Sequence, residues 1–265
     1  NRVCEGGSDE IKINGVLKKR KRATLFFYPG TYSLTDKIEI ANSNGDFSSL
    51  ALIGSNEGDV IFDGQNDTTY FLVTIGNQPQ QICIDSLEIK NFQRFHNFTK
   101  VDNKVEIRNC IFDNLYDESG WPLTATVVHN STLKNSNSYW GYIPVISEST
   151  AENNFRDGFF YCGLVWECTG ENNTQYDYHQ CGVVGYSIGT GATFGNCGML
   201  FDCTGSSAEN CGPMWECNIS TVTNCVDFDN AHTGGQTFIT SVDFGSETTK
   251  TKTIDVENGI VMDIS

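Results

Sequence analysis

The sequence predicts an all-β chain wound as a parallel solenoid, and three observations predict it. A phrase recurs as CGLVWECT from Cys162, CGVVGYSI from Cys181, CGMLFDCT from Cys197, CGPMWECN from Cys211 and, degenerately, CVDFDNAH from Cys225. Its starts lie 19, 16, 14 and 14 residues apart, too short for a helix pair and too regular for loops, so each copy reads as one coil. Asn196, Asn210 and Asn224 each precede a repeat cysteine, as residues stacked at a corner would.

At 265 residues the chain is long for one domain, but solenoids grow without splitting. It is read as a single domain of about ten to twelve coils, roughly 50 Å long at one strand spacing per coil. Residues 1–22 form an N-terminal cap and 23–265 the coils. In the cap, Ser8 could start one or two helical turns, whereas Asn14-Gly15 suggests a turn.

Strict alternation from the first cysteine of each repeat puts Cys162, Leu164, Trp166 and Cys168 on the inner face. Val165, Val184, Leu200, Met214 and Phe228 then point outward as an apolar stripe, which reads as a subunit contact or a surface covered by another segment. A like-charge pair beside it, Asp202 over Glu216, is expected to splay into solvent rather than hold Ca²⁺. No metal and no cofactor is expected.

Eleven cysteines leave at least one thiol unpaired in a monomer, and none of the spacings suits zinc or an iron–sulfur cluster. Buried reduced thiols are the expectation. The net charge is −16, and positions 157–249 contain no Lys or Arg, which excludes nucleic acid and other polyanions as partners for this half. No apolar run is long enough to span a bilayer, so no membrane insertion is expected. The start at Asn1 rather than Met, and sequons at Asn66, Asn97, Asn130, Asn172 and Asn218, are compatible with a secreted, cell-surface or virion-surface glycoprotein. The basic run 18–22 is read as a solvated end of the cap.

Upstream, FFYPGTYSLTDKIEI followed by LALIGSNEGDVIFDG resembles the entry coils of the right-handed parallel β-helix, or pectate-lyase-like, superfamily, over residues 23–115. The resemblance implies a right-handed helix. The Asn-Thr-Asp, Asp-Asp, Gly-His-Gly and Arg-Ile-Lys motifs of its polygalacturonase-like members do not occur, so it implies fold and not activity.

Placing Asn109, Asn135 and Asn153 in one register puts Asp113 and Asp157 two coils apart, about 9–10 Å, within reach of a glycosidase carboxylate pair with Arg156 beside it. His129 and His179 are further acid–base candidates. The insertion holding Tyr176, Asp177, Tyr178 and His179 reads as a protruding loop suited to sugar rings. The leading expectation is a non-catalytic β-helix that self-associates as a homo-oligomer, fibre, spike or appendage and contacts glycans. The alternative is a lyase or glycoside hydrolase acting on a neutral or weakly charged glycan.

Overall fold

The structure is a computed structural model and describes residues 9–18, 22–41, 48–55, 58–75, 81–96, 104–116, 122–190, 194–227, 254–257 and 260–264. Its architecture is all-β, of the β-solenoid kind: parallel strands in stacked sheets, with one helix among the described residues. An eleven-stranded sheet runs in coil order from Arg22–Phe27 through Lys104–Arg108, Val145–Ser147, Leu164–Trp166, Val183–Gly185, Met199–Phe201 and Pro213–Trp215 to Val226–Asp227. A fifteen-stranded sheet carries the intervening strands, among them Ile111–Asp113, Thr132–Lys134, Thr150–Glu152 and Thr169–Glu171.

The middle coils have three sides. After the strand Thr150–Glu152 the chain turns a corner, loops through 153–158 and adds a third-side strand, Phe159–Phe160, which pairs in parallel with Trp140–Gly141 and Tyr178–His179. Downstream the loop disappears and one continuous strand, Thr204–Glu209, pairs with both limbs of the sheet. Loss of that loop is why the repeat shortens from 19 to 14 residues.

Corners rest on residues in the left-handed region. One column comprises Asn109, Asn130, Glu148, Glu167, Tyr186, Asp202 and Glu216, with φ between 45° and 54°. A second comprises Asn114, Asn135, Asn153 and Asn172, and a third Tyr142, Tyr161, Gln180, Asn196, Asn210 and Asn224. Such a conformation costs a non-glycine residue about 1–3 kcal/mol. Ladder bonds offset it: Asn130 donates its amide to Asn109 Oδ1 at 2.9 Å, Asn114 to Asn91 at 2.9 Å and Asn224 to Asn210 at 3.0 Å. The expected common register of Asn109 with Asn135 and Asn153 is therefore corrected. Asn109 stacks with Asn130, while Asn135 and Asn153 belong to the next corner. A coil with several corners carries several asparagine columns, and sequence spacing alone does not separate them.

The residue after each left-handed corner points inward again, and this resets the alternation. In the repeat, Cys162, Val165 and Cys168 are all buried, while Leu164 and Trp166 face out. The expected outward stripe is thus core: Val165, Val184, Leu200 and Met214 are each 0 % exposed, packed in register one above the next. Phe228 lies outside the described residues. Parity counted from Cys162 failed because each strand lasts three residues before a corner breaks it.

Inside the first corner, Cys and Ser are interchangeable. Each sends its S–H or O–H to the carbonyl two residues back, as from Ser149 to Ser147 at 2.7 Å, Cys168 to Trp166 at 3.3 Å, Ser187 to Gly185 at 2.8 Å and Cys203 to Phe201 at 3.3 Å. The ten described cysteines are free thiols. Burial pushes Cys110 and Cys168 up to about 12, so both are held protonated. On the third side Phe159, Tyr178 and Phe194 stack at 5.0 and 4.9 Å, and the Tyr178 hydroxyl lies between the carbonyls of Cys168 and Ile188 at 2.7 and 2.8 Å.

The helix Asp9–Leu17 closes the first coils by burying Ile13 and Leu17 against the strand Ile38–Ala41. It runs through Asn14-Gly15, where a turn was the competing expectation. Asn14 is committed outside the helix, accepting from Glu39 N–H at 2.8 Å and donating to Lys37 O at 3.1 Å. Ser8 lies outside the described residues. Gly15 has no heavy atom near its would-be Cβ, so Gly15→Ala lacks any clash to oppose its better helix propensity.

One core group makes stability depend on pH. Burial holds His96 at about 4, below its unfolded value of 6.5, with Nε2 3.0 Å from Thr124 O. Between those values the unfolded chain binds a proton at this site that the folded chain does not. Stability is therefore undiminished by this group above pH 6.5 and falls as pH drops towards 4, by about 3 kcal/mol in all. Urea unfolding of the wild type and His96→Leu at neutral and mildly acid pH should show the variant with the shallower pH slope; equal slopes would remove His96 as the cause.

Candidate functional site

Two outward surfaces collect the groups not consumed by the fold. The first is the outer face of the eleven-stranded sheet. Its strands LVW, VVG, MLF and PMW are apolar on both faces, so outward positions are Leu164, Val183, Met199 and Pro213 in one row and Trp166, Gly185, Phe201 and Trp215 in the next. The Trp166 indole lies across Gly185, where a Cβ would meet the ring, and Tyr186 bridges Trp166 and Phe201 at 4.7 and 5.3 Å. At the corner beside this row stand the exposed acids Glu148, Glu167, Asp202 and Glu216. On the opposite margin the corner tyrosines Tyr142 and Tyr161, 48 % and 47 % exposed, stack at 5.4 Å and 13°.

These are the residues that strict alternation missed. The signal was present: four consecutive strands lacking any polar residue must put apolar groups outside whichever parity is chosen. Upstream, the Leu164 row continues as Val145, Val127 and Glu106 and the Trp166 row as Ser147, His129 and Arg108, so only the downstream coils are apolar in both rows.

The second surface lies on the third side around Asp157. This carboxylate is 5 % exposed; its Oδ1 accepts Tyr176 N–H at 3.1 Å and its Oδ2 lies 3.4 Å from His179 Nδ1. Burial raises its pKa, and His179, the Tyr176 amide and Arg156 oppose the rise. The other imidazole nitrogen, Nε2, is 3.4 Å from Asn196 Nδ2. An Nδ1–H tautomer donating to Asp157 while Nε2 accepts from Asn196 satisfies both contacts. Tyr176 and Phe160 close over the ring at 4.6 and 5.2 Å. With both carboxylate oxygens and both ring nitrogens engaged, the pair fastens the 172–177 loop.

Asp113 does not join it. It sits in the strand Ile111–Asp113, directly over Lys134, accepting from Asn135 at 2.9 Å with Lys134 Nζ at 3.9 Å. Lys134 pairs in turn with Glu152, whereas Asp157 lies beyond the following corner. The expected juxtaposition of Asp113, Asp157 and Arg156 is therefore corrected: it required the single asparagine register that the corners divide in two.

The glycan loop is also corrected. Asp177 and Tyr178 are both 0 % exposed: Tyr178 is the inward residue of the strand Tyr178–His179, and Asp177, just before it, packs against Gly170 and accepts from Asn173 at 2.8 Å. Tyr176 and His179 remain at the surface. His129 sits outward 3.1 Å from Ser147 Oγ, with Glu148 at 3.8 Å. Of the sequons, Asn66, Asn130, Asn172 and Asn218 are exposed and Asn97 lies outside the described residues.

No group of His, Cys, Asp and Glu among the described residues could hold a metal ion. No helix among them is long and apolar enough to cross a membrane. No family model, curated protein or solved structure matches the chain.

Proposed function

We propose that the chain is a non-catalytic, extracellular or virion-surface β-helix that self-associates as a subunit of a fibre, spike or appendage, using the outer face of its downstream coils. In this reading residues 1–22 cap a single right-handed helix of about ten to twelve coils, of the pectate-lyase-like kind. Right-handedness follows the strong preference of parallel crossover connections.

The observation that carries the reading is the uninterrupted apolar face from Leu164 to Pro213, bordered by Trp166 and Phe201. With its corner tyrosines it covers on the order of 400–500 Å², from four coils at strand spacing and two rows with their margins. That is comparable to the largest apolar patches of soluble monomers, which are often functional. It is also about half of what each partner buries in a standard stable complex, so one such contact pairs copies weakly, and repetition along an assembly makes it add up. Stacked Tyr142 and Tyr161 offer flat rings of the kind saccharide faces pack on, and glycan contact belongs to the same reading.

Sedimentation velocity from micromolar to millimolar chain should show the wild type associating and Leu164→Asp/Met199→Asp remaining monomeric. Both positions are partly solvated, so the doubly substituted chain should keep its far-ultraviolet circular dichroism. Identical sedimentation of the two chains would refute the reading.

A further inference from the structure

We infer that the chain supplies its own first occupant for the outer face: residues 250–264 dock on the Leu164–Pro213 strip and hold self-association weak. The inference rests on the reading of that face as an association surface, and adds what regulates it.

Four observations point the same way. The strands Ile254–Glu257 and Ile260–Ile264 form an antiparallel sheet of their own, separate from both large sheets. A lone two-stranded ribbon is marginal in water and needs an apolar surface to rest on. Its sequence has the alternation of half-buried strands, IDVE and IVMDI, and its register sets Ile254 opposite Ile264, Val256 opposite Val261 and Asp255 opposite Asp263.

Size decides between occupants. Two paired strands of four or five residues cover roughly 150–200 Å², from strand rise and spacing. The central rows Leu164, Val183, Met199, Pro213 and their aromatic neighbours span about the same area, whereas a second copy needs the whole belt. The ribbon therefore fits the strip alone.

Charge agrees. The strip is bordered by an acidic corner carrying Glu167 and Asp202, in coils where positions 157–249 supply no Lys or Arg. The next bases in the chain are Lys250 and Lys252, immediately before the ribbon. Acids stacked at strand spacing repel one another, and two lysines laid along them relieve that repulsion.

Reach is sufficient. The last strand, Val226–Asp227, pairs with Pro213–Trp215 and so borders the strip. Between Asp227 and Ile254 lie 26 residues, a length whose maximum reach of about 85 Å exceeds the strip's length. Because ribbon and strip belong to one chain, docking is intramolecular, and a modest intrinsic affinity suffices to keep it in place.

Zero-length carbodiimide cross-linking of an equal mixture of ¹⁴N- and ¹⁵N-labelled wild-type chains, followed by peptide mapping, tests the docking. Glu167 or Asp202 should join Lys250 or Lys252 within one isotopic chain. Lys250→Glu/Lys252→Glu in the full chain should associate at concentrations at least tenfold lower, as should a chain ending at Asp227 if its circular dichroism shows it folded. Links formed only between isotopically different chains, or no link from these acids to Lys250 and Lys252, would overturn the docking whatever the oligomeric state. Links within one chain, with both altered chains monomeric throughout, would leave the docking standing and remove the self-association reading on which its regulatory role depends.

Discussion

Leu200→Asp should abolish the folded downstream coils, whereas Met199→Asp, one residue away, should leave them folded. Leu200 is 0 % exposed and lies in register between Val184 and Met214, with Cys197 and Cys203 flanking it along the chain. A carboxylate there has no cation to pair with. It must either ionise without solvent or stay protonated, at a cost of several kcal/mol out of a total stability on the order of 5–15 kcal/mol. Truncation to Ala at the same site should cost about 2–5 kcal/mol. Met199 faces outward and its carboxylate substitute would be hydrated, so its effect on stability should stay within about 1 kcal/mol. Circular dichroism with urea unfolding would rank the two; Met199→Asp as the more damaging change would reverse the assignment of faces.

The second large effect is expected at the glycine following the first cysteine of each repeat. Gly163, Gly182, Gly198 and Gly212 stack so closely that a Cβ on Gly163 would lie 2.5 Å from Pro144 O, and one on Gly182 2.6 Å from Gly163 O. The obstacle is backbone, which cannot rotate away. The same residues carry ladder bonds, Gly182 N–H to Cys162 O at 2.8 Å and Val183 N–H to Gly163 O at 2.9 Å. Gly182→Ala must therefore separate two coils and lengthen those bonds, losing roughly 1–3 kcal/mol, and Gly182→Val more. Gly15→Ala, in the open helix position, should instead gain about 0.5–1 kcal/mol. Thermal or urea unfolding of the three variants is the check; a neutral Gly182→Val would mean that the coils are not in contact at this corner.

Much of the architecture was legible because stacking forces equivalent positions to repeat. The Cys-Gly dipeptides located the corner, and Asn196, Asn210 and Asn224 located the left-handed residues before it. Parity was not legible, since the corners Tyr161 and Glu167 have no residue type that betrays a left-handed conformation, and each resets which face the next side chain takes. The same ambiguity divided Asn109 from Asn135 and separated Asp113 from Asp157. The Asp157–His179 contact joins a loop to the strand of the next coil, and no local pattern in FRDGFF or YDYHQ encodes that meeting. The outer apolar face could have been found by asking which strands lacked polar residues altogether instead of which alternated.

The buried sulfur column has a practical consequence. Cys162, Cys181, Cys197 and Cys211 donate to carbonyls of their own and neighbouring coils, and the Cys211 thiol, raised chiefly by its contact with Cys197, stands at about 12. Alkylating reagents consume thiolates, so these positions are labelled only when a coil comes apart. Mapping which cysteines carry label after successive exposure times would then yield an opening record resolved turn by turn, from the half-exposed Cys225 inwards, without substituting any residue.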